Sequence, residues 1–166
     1  TLPPEGRNTG LQIRSILGLF AAVAVWLSAS GAIAQEVVGS VVSVEGRAQL
    51  TREGAPYRLA PEVSILSGDI IVTGATGTVQ LEFRDETRVV VGPGSQFVAA
   101  DIRMRRSGRA SRFTVTTVGG TFRFLSGNSS KRVYDIRTPT ATMGVRGTEF
   151  DFALGRGRET TLVTFL

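Results

Sequence analysis

Thirteen residues from Thr138 to Phe150, TPTATMGVRGTEF, concentrate the side chains best suited to chemistry. Four threonines, Arg146 and Glu149 stand there with Pro139, Gly144 and Gly147. Read functionally, Gly144-Val145-Arg146-Gly147 is a small anion cradle, with Arg146 and backbone N–H groups turned to a phosphate or carboxylate. Phosphate loops of the familiar kinds open a helix, however, and no helical pattern follows here. Read structurally, Pro139 fixes φ and starts a turn, the glycines permit positive φ or close backbone approach, and Arg146 and Glu149 pair with each other or with a neighbouring segment. The structural reading is the stronger.

Asp69, Glu82, Asp85 and Glu86 raise a second chemistry, a calcium loop or a glycosidase pair. Neither the spacing of a calcium loop nor a second acid placed by a motif accompanies them. The chain has no histidine and no cysteine. That excludes a Ser-His-Asp triad, thiol nucleophiles, disulfides and the usual zinc, copper and haem ligands. The expectation is a protein that is not an enzyme and carries no cofactor or metal; a carbohydrate-active enzyme is the distant rival.

The basic residues are unevenly placed. From Ile102 to Arg132 there are eight Lys and Arg and no acid. Arg103, Arg105, Arg106 and Arg109 surround Ser107-Gly108, which reads as an exposed hairpin tip suited to a polyanion or an acidic partner protein. A plain solvated loop is the other reading, and the stronger of the two. Nucleic acid is disfavoured, because no aromatic residues interleave with the arginines and the N-terminus reads as an export signal. There Arg7 and Arg14 precede the apolar run Ile16–Leu27 and the small-x-small pattern Ala32-Ile33-Ala34. The run is short for a membrane span of about 20 residues. Residues 1–34 are expected to be a cleaved signal peptide, with an uncleaved inner-membrane anchor as the alternative. Either way residues 35–166 lie outside the cytoplasm. Setting aside Arg7, Arg14 and Glu5, that part holds 17 basic and 13 acidic residues, a net charge of +4.

The elements that position these residues follow a period of two. Val79, Leu81 and Phe83 alternate with polar residues, as do Phe113, Val115 and Thr117, Phe122 and Phe124, Tyr134 and Ile136, and Phe150, Phe152 and Leu154. Such alternation predicts half-buried strands. Glycine-rich turns recur at roughly 8 to 12 residues. The reading is one all-β domain over 35–166, a solenoid-like or sandwich arrangement of short antiparallel strands and tight glycine turns.

The order of motifs adds a resemblance. SGDIIVTG (67–74), VQLEFRD (79–85), VVVGPGS (89–95), GTFRF (120–124) and the closing TPTATMGVRGTEF together resemble the FecR domain, the periplasmic module named after the regulator of ferric citrate transport. The likeness spans about 37–154 and is most specific over 67–154. Its signature positions here are Gly68, Asp69, Thr73, Pro139, Gly144, Arg146, Gly147, Glu149 and Phe150. The resemblance implies a non-enzymatic signalling or scaffolding module of the envelope, periplasmic or secreted. A cytoplasmic segment that handles a sigma factor does not fit into residues 1–34, so that role is not expected to carry over. The family often has glycine where this chain has Glu86, so the turn there is expected to differ.

Overall fold

The computed structural model describes residues 35–155 and 162–165, the latter by backbone alone. The expected signal segment lies outside the described residues. The strands are β1 (Val37–Glu45), β2 (Ala48–Arg52), β3 (Ala55–Tyr57), β4 (Ser64–Leu66), β5 (Ile70–Thr73), β6 (Thr78–Phe83) and β7 (Arg88–Val91). They continue as β8 (Gln96–Met104), β9 (Ala110–Val118), β10 (Gly120–Leu125), β11 (Tyr134–Arg137), β12 (Thr142–Gly144), β13 (Glu149–Leu154) and β14 (Leu162–Phe165). A single turn of 3₁₀ helix, Lys131–Val133, precedes β11.

Two seven-stranded sheets result. One runs β14-β13-β10-β7-β6-β1-β4 and the other β12-β11-β9-β8-β5-β2-β3. Of the two arrangements expected, this is the sandwich, although the chain crosses repeatedly between layers as a coiled fold would. Pairing is antiparallel except between β9 and β11, which run parallel. The alternating residues fill the space between the layers: Leu81, Phe83, Val91, Phe122 and Phe124 from the first sheet, Ile71, Phe97, Phe113, Val115 and Ile136 from the second. Phe113 stands edge-on to Phe83 at 4.8 Å and to Phe124 at 5.9 Å, tying the sheets together through their rings. Such pairs add about 0.5–1.5 kcal/mol beyond the area they bury.

The crossings explain the glycines. At one end, the passages β5 to β6, β7 to β8 and β9 to β10 meet. Gly94 N donates to Gly74 O (3.0 Å), and Gly92 N donates to Thr121 O (2.8 Å). The β8–β9 hairpin and the turn Arg84–Thr87 lie at the other end, because β8 starts at the crossings and finishes at Met104.

Candidate functional site

Asp69 is only 1 % exposed, and its carboxylate is fully engaged. Arg52 grips it with two donors, Nε to Oδ1 at 2.9 Å and Nη2 to Oδ2 at 2.8 Å, while Leu66 N donates to Oδ2 at 2.9 Å. The Asp69 hydrogen bonds hold the Arg52 guanidinium still more firmly protonated than usual. Arg52 Nη2 also donates to Ser64 O at 2.8 Å and the guanidinium lies 4.5 Å above the Tyr57 ring. One arginine at the end of β2 therefore binds the β4–β5 crossing to both sheets. Gly68, with φ +97, makes that crossing tight enough. Nothing in the sequence pattern had singled out Arg52.

Thr73 is buried and closes the crossings at the far end. Its hydroxyl donates to Gly92 O at 2.6 Å and accepts from Ser95 N at 2.9 Å. Ser95 Oγ in turn accepts from Thr121 N at 3.2 Å. Three separated motifs, 67–74, 89–95 and 120–124, are thus joined in one hydrogen-bonded knot.

Asp85 is also buried. Tyr134 Oη donates to its Oδ2 at 2.8 Å, and Thr87 N donates to its Oδ1 at 3.1 Å. Gly127 packs on this turn, with Gly127 N donating to Thr87 Oγ1 at 3.1 Å and Asn128 N to Asp85 O at 2.7 Å. Burial first, and the facing Asp85 carboxylate after it, push the Tyr134 phenol above its ordinary value. A raised phenol favours the protonated form in the folded state. Its contribution is complete below the unfolded value near 10 and is lost as pH rises through the higher folded value. Alkaline titration followed by circular dichroism should therefore show stability falling above pH about 10, with a shallower fall in Tyr134→Phe; an identical slope in both proteins contradicts the assignment.

Glu86 adopts φ +66, the left-handed region where the family often has glycine. The turn closes on two backbone bonds: Glu86 N donates to Phe83 O at 2.9 Å and Phe83 N to Thr87 O at 2.8 Å. The left-handed conformation strains the residue by about 1–2 kcal/mol for an L side chain. Glu86→Gly should melt at or slightly above the parent, and Glu86→Val roughly 1 kcal/mol below it. A valine variant that melts as the parent contradicts the conformational argument.

In the stretch 138–150, Pro139 sits in a four-residue turn between β11 and β12. Thr138 N donates to Ala141 O at 2.8 Å, and Ala141 N donates to Thr138 Oγ1 at 3.0 Å. Gly144 lies in β12 with open space where a Cβ would stand, so close approach does not explain it. Gly147 O accepts from Ser126 Oγ at 3.2 Å. Val145 and Phe150 are buried and Arg146 is exposed. Glu149 does not pair with Arg146; it lies 4.0 Å from Arg123, which is bonded chiefly to Asp151 at 2.7 Å. The Arg123 hydrogen bond holds the Asp151 carboxyl below its ordinary value. Glu82 faces outward and pairs with Arg88 at 3.3 Å. Asp69 and Asp85 thus serve the fold. Among the described residues, no three acids cluster as metal ligands.

The β8–β9 hairpin carries the basic cluster. Ile102 and Met104 turn into the core, and Arg105 N donates to Arg109 O at 2.8 Å to close the tip. Arg103, Arg105, Arg106 and Arg109 are exposed. Asp101, one residue before the acid-free run, changes its local charge: it pairs with Arg103 at 2.9 Å and with Arg112 at 2.8 Å. Hydrogen bonds from Arg112 first, then Arg103, lower the Asp101 carboxyl. Among the described residues, Arg105, Arg106 and Arg109 form no ion pair.

The family model "FecR protein" matches residues 69–166, and the chain belongs to the FecR family, a family of signalling regulators whose domains typically face the periplasm. The match begins at Asp69, the residue clamped by Arg52, and β1 to β4 precede it. No curated protein and no solved structure matches the chain. No helix among the described residues is long and apolar enough to cross a membrane.

Proposed function

We propose that this chain is an exported, non-enzymatic binding or scaffolding module of FecR type in the bacterial envelope. Its β8–β9 hairpin contacts an acidic envelope protein or an anionic surface component. The observation that carries this reading is the uncompensated charge at the hairpin tip. Arg105, Arg106 and Arg109 project from a two-stranded arm whose base is anchored by Ile102 and Met104 in the core and by Ala110 N bonded to Ser129 Oγ at 2.6 Å. A rigid arm loses little entropy when it docks. Each arginine near an anionic surface contributes about 1 kcal/mol, screened over a Debye length of about 8 Å at physiological salt.

Purified protein should bind anionic vesicles at low salt, with affinity falling as salt rises. The quadruple variant Arg103→Gln/Arg105→Gln/Arg106→Gln/Arg109→Gln should lose binding and melt at nearly the parent's temperature, because exposed charges add little to folding. A parent that fails to bind at low salt, or a variant that binds equally, removes the hairpin as a contact site. Export itself is tested by the intact mass of envelope protein: a chain beginning at Gln35 supports cleavage. Retained residues before Ala34 support the second reading, an anchored signalling subunit, for which the apolar run Ile16–Leu27 is the motive.

A further inference from the structure

Beside the basic tip lies a depression of opposite charge. It runs along β1, the residues before β4 and the end of β6, and is lined by Val37, Val42, Glu62, Glu82, Arg84 and Glu86 among others. Glu82 is compensated by Arg88 at 3.3 Å, and Arg84 by Glu36 at 3.2 Å. Glu62 and Glu86 are exposed and form no ion pair among the described residues. Two uncompensated carboxylates therefore border this depression, and three uncompensated guanidiniums stand on the hairpin. The two surfaces adjoin: a Cβ at Gly108, in the hairpin tip, would lie 3.4 Å from Arg84 O, in the wall of the depression.

The depression is also apolar in a way the rest of its surroundings are not. Val37 is 45 % exposed and Val42 is 47 % exposed, two of the five large apolar side chains left open to solvent among the described residues. Val42 follows buried Val41 and faces outward at the register shift in β1 between Val41 and Ser43. A partner seated here would cover both valines while meeting Glu62 and Glu86 with positive charge.

We propose that the occupant is a second copy of this chain, docked about a two-fold axis, with the arginine tip of each protomer in the acidic depression of the other. A two-fold interface requires a patch that complements itself, so that each contact occurs twice. Adjacent positive and negative surfaces meet that requirement, whereas the hairpin alone would repel its copy. The proposal rests on the reading of the hairpin as a contact site and names its partner. Charge steers the approach and salt weakens it, while the valines supply apolar burial.

The test is sedimentation equilibrium of the purified protein and two charge-reversed variants, Arg105→Glu/Arg106→Glu/Arg109→Glu and Glu62→Arg/Glu86→Arg. The parent should show twice the monomer mass at low salt and shift to monomer as salt rises. Each variant alone should be monomeric. Mixing the two variants should restore the doubled mass, because the reversed hairpin then faces the reversed depression in one contact and the unchanged hairpin faces the unchanged depression in the other. Melting curves of the variants check folding, and the Glu62/Glu86 pair offers a second route should the hairpin variant fold poorly. A parent monomeric at low salt, or a mixture that stays monomeric while both variants are folded, overturns the two-fold dimer. Vesicle binding separates the two ideas: a monomeric parent that still binds anionic vesicles through the hairpin refutes the dimer alone.

Discussion

Arg52→Ala is expected to destabilise the protein by about 2–4 kcal/mol, because it leaves the buried Asp69 carboxylate without its cation in a part-buried ion pair. Asp69 is 1 % exposed, so without Arg52 its carboxylate keeps Leu66 N and little else. The same change removes the bond to Ser64 O and the stacking on Tyr57. Asp69→Asn should cost less, about 1–3 kcal/mol, because the Arg52 side chain is 18 % exposed and can draw water to itself. A double-mutant cycle should give a large coupling, with the combined variant much less unstable than the sum of the two. Denaturant unfolding checks the series. A loss below about 1 kcal/mol for Arg52→Ala would place the pair among ordinary surface ion pairs and contradict the clamp.

Gly120→Ala is the second large effect. Gly120 has φ +74, and a Cβ there would stand 2.0 Å from Ser95 Oγ and 2.6 Å from Pro93 O. The left-handed conformation costs an alanine about 1–2 kcal/mol. The crowding adds about 1–3 kcal/mol, since Pro93 O is backbone and Ser95 Oγ is held by Thr121 N. Gly54→Ala serves as the control: φ is +79 there, with nothing within 4 Å of a Cβ. It should show the conformational cost alone, about 1–2 kcal/mol. At about 3–5 °C per kcal/mol for a domain of this size, the two variants are readily told apart in a thermal melt. Equal melting temperatures would mean that the crossings do not pack as tightly as described.

The sequence shows some of this plainly and hides the rest for definable reasons. The alternation around Leu81, Phe113, Phe124 and Phe150 marks the core correctly, because a strand with one buried face must repeat every second residue. The same alternation says nothing about which sheet receives a strand. That is set where the chain crosses, at Gly74, Gly92–Ser95 and Gly120, and by contacts remote in sequence. Arg52 and Asp69 are 17 residues apart, and Asp85 and Tyr134 are 49 apart. Neither pair follows a local spacing. Glu86 shows a different limit: the family resemblance flags the missing glycine, but only the backbone shows that the glutamate itself takes the left-handed conformation. In the hairpin, exposure follows from the alternation of Ile102 and Met104, and Asp101 meets Arg103 two residues along the same strand, whereas its pairing with Arg112 depends on register across β8 and β9.

The proposed function divides the molecule into residues that hold the fold and residues proposed to meet a partner. One parallel measurement tests that division: vesicle binding and thermal stability for the quadruple hairpin Arg→Gln variant and for Asp69→Asn, both below their melting temperatures. The hairpin variant should melt as the parent and fail to bind, and Asp69→Asn should melt lower and bind as the parent does. A hairpin variant that binds undiminished, or an Asp69→Asn protein that melts unchanged and no longer binds, would show that the family motif carries the function and the hairpin does not.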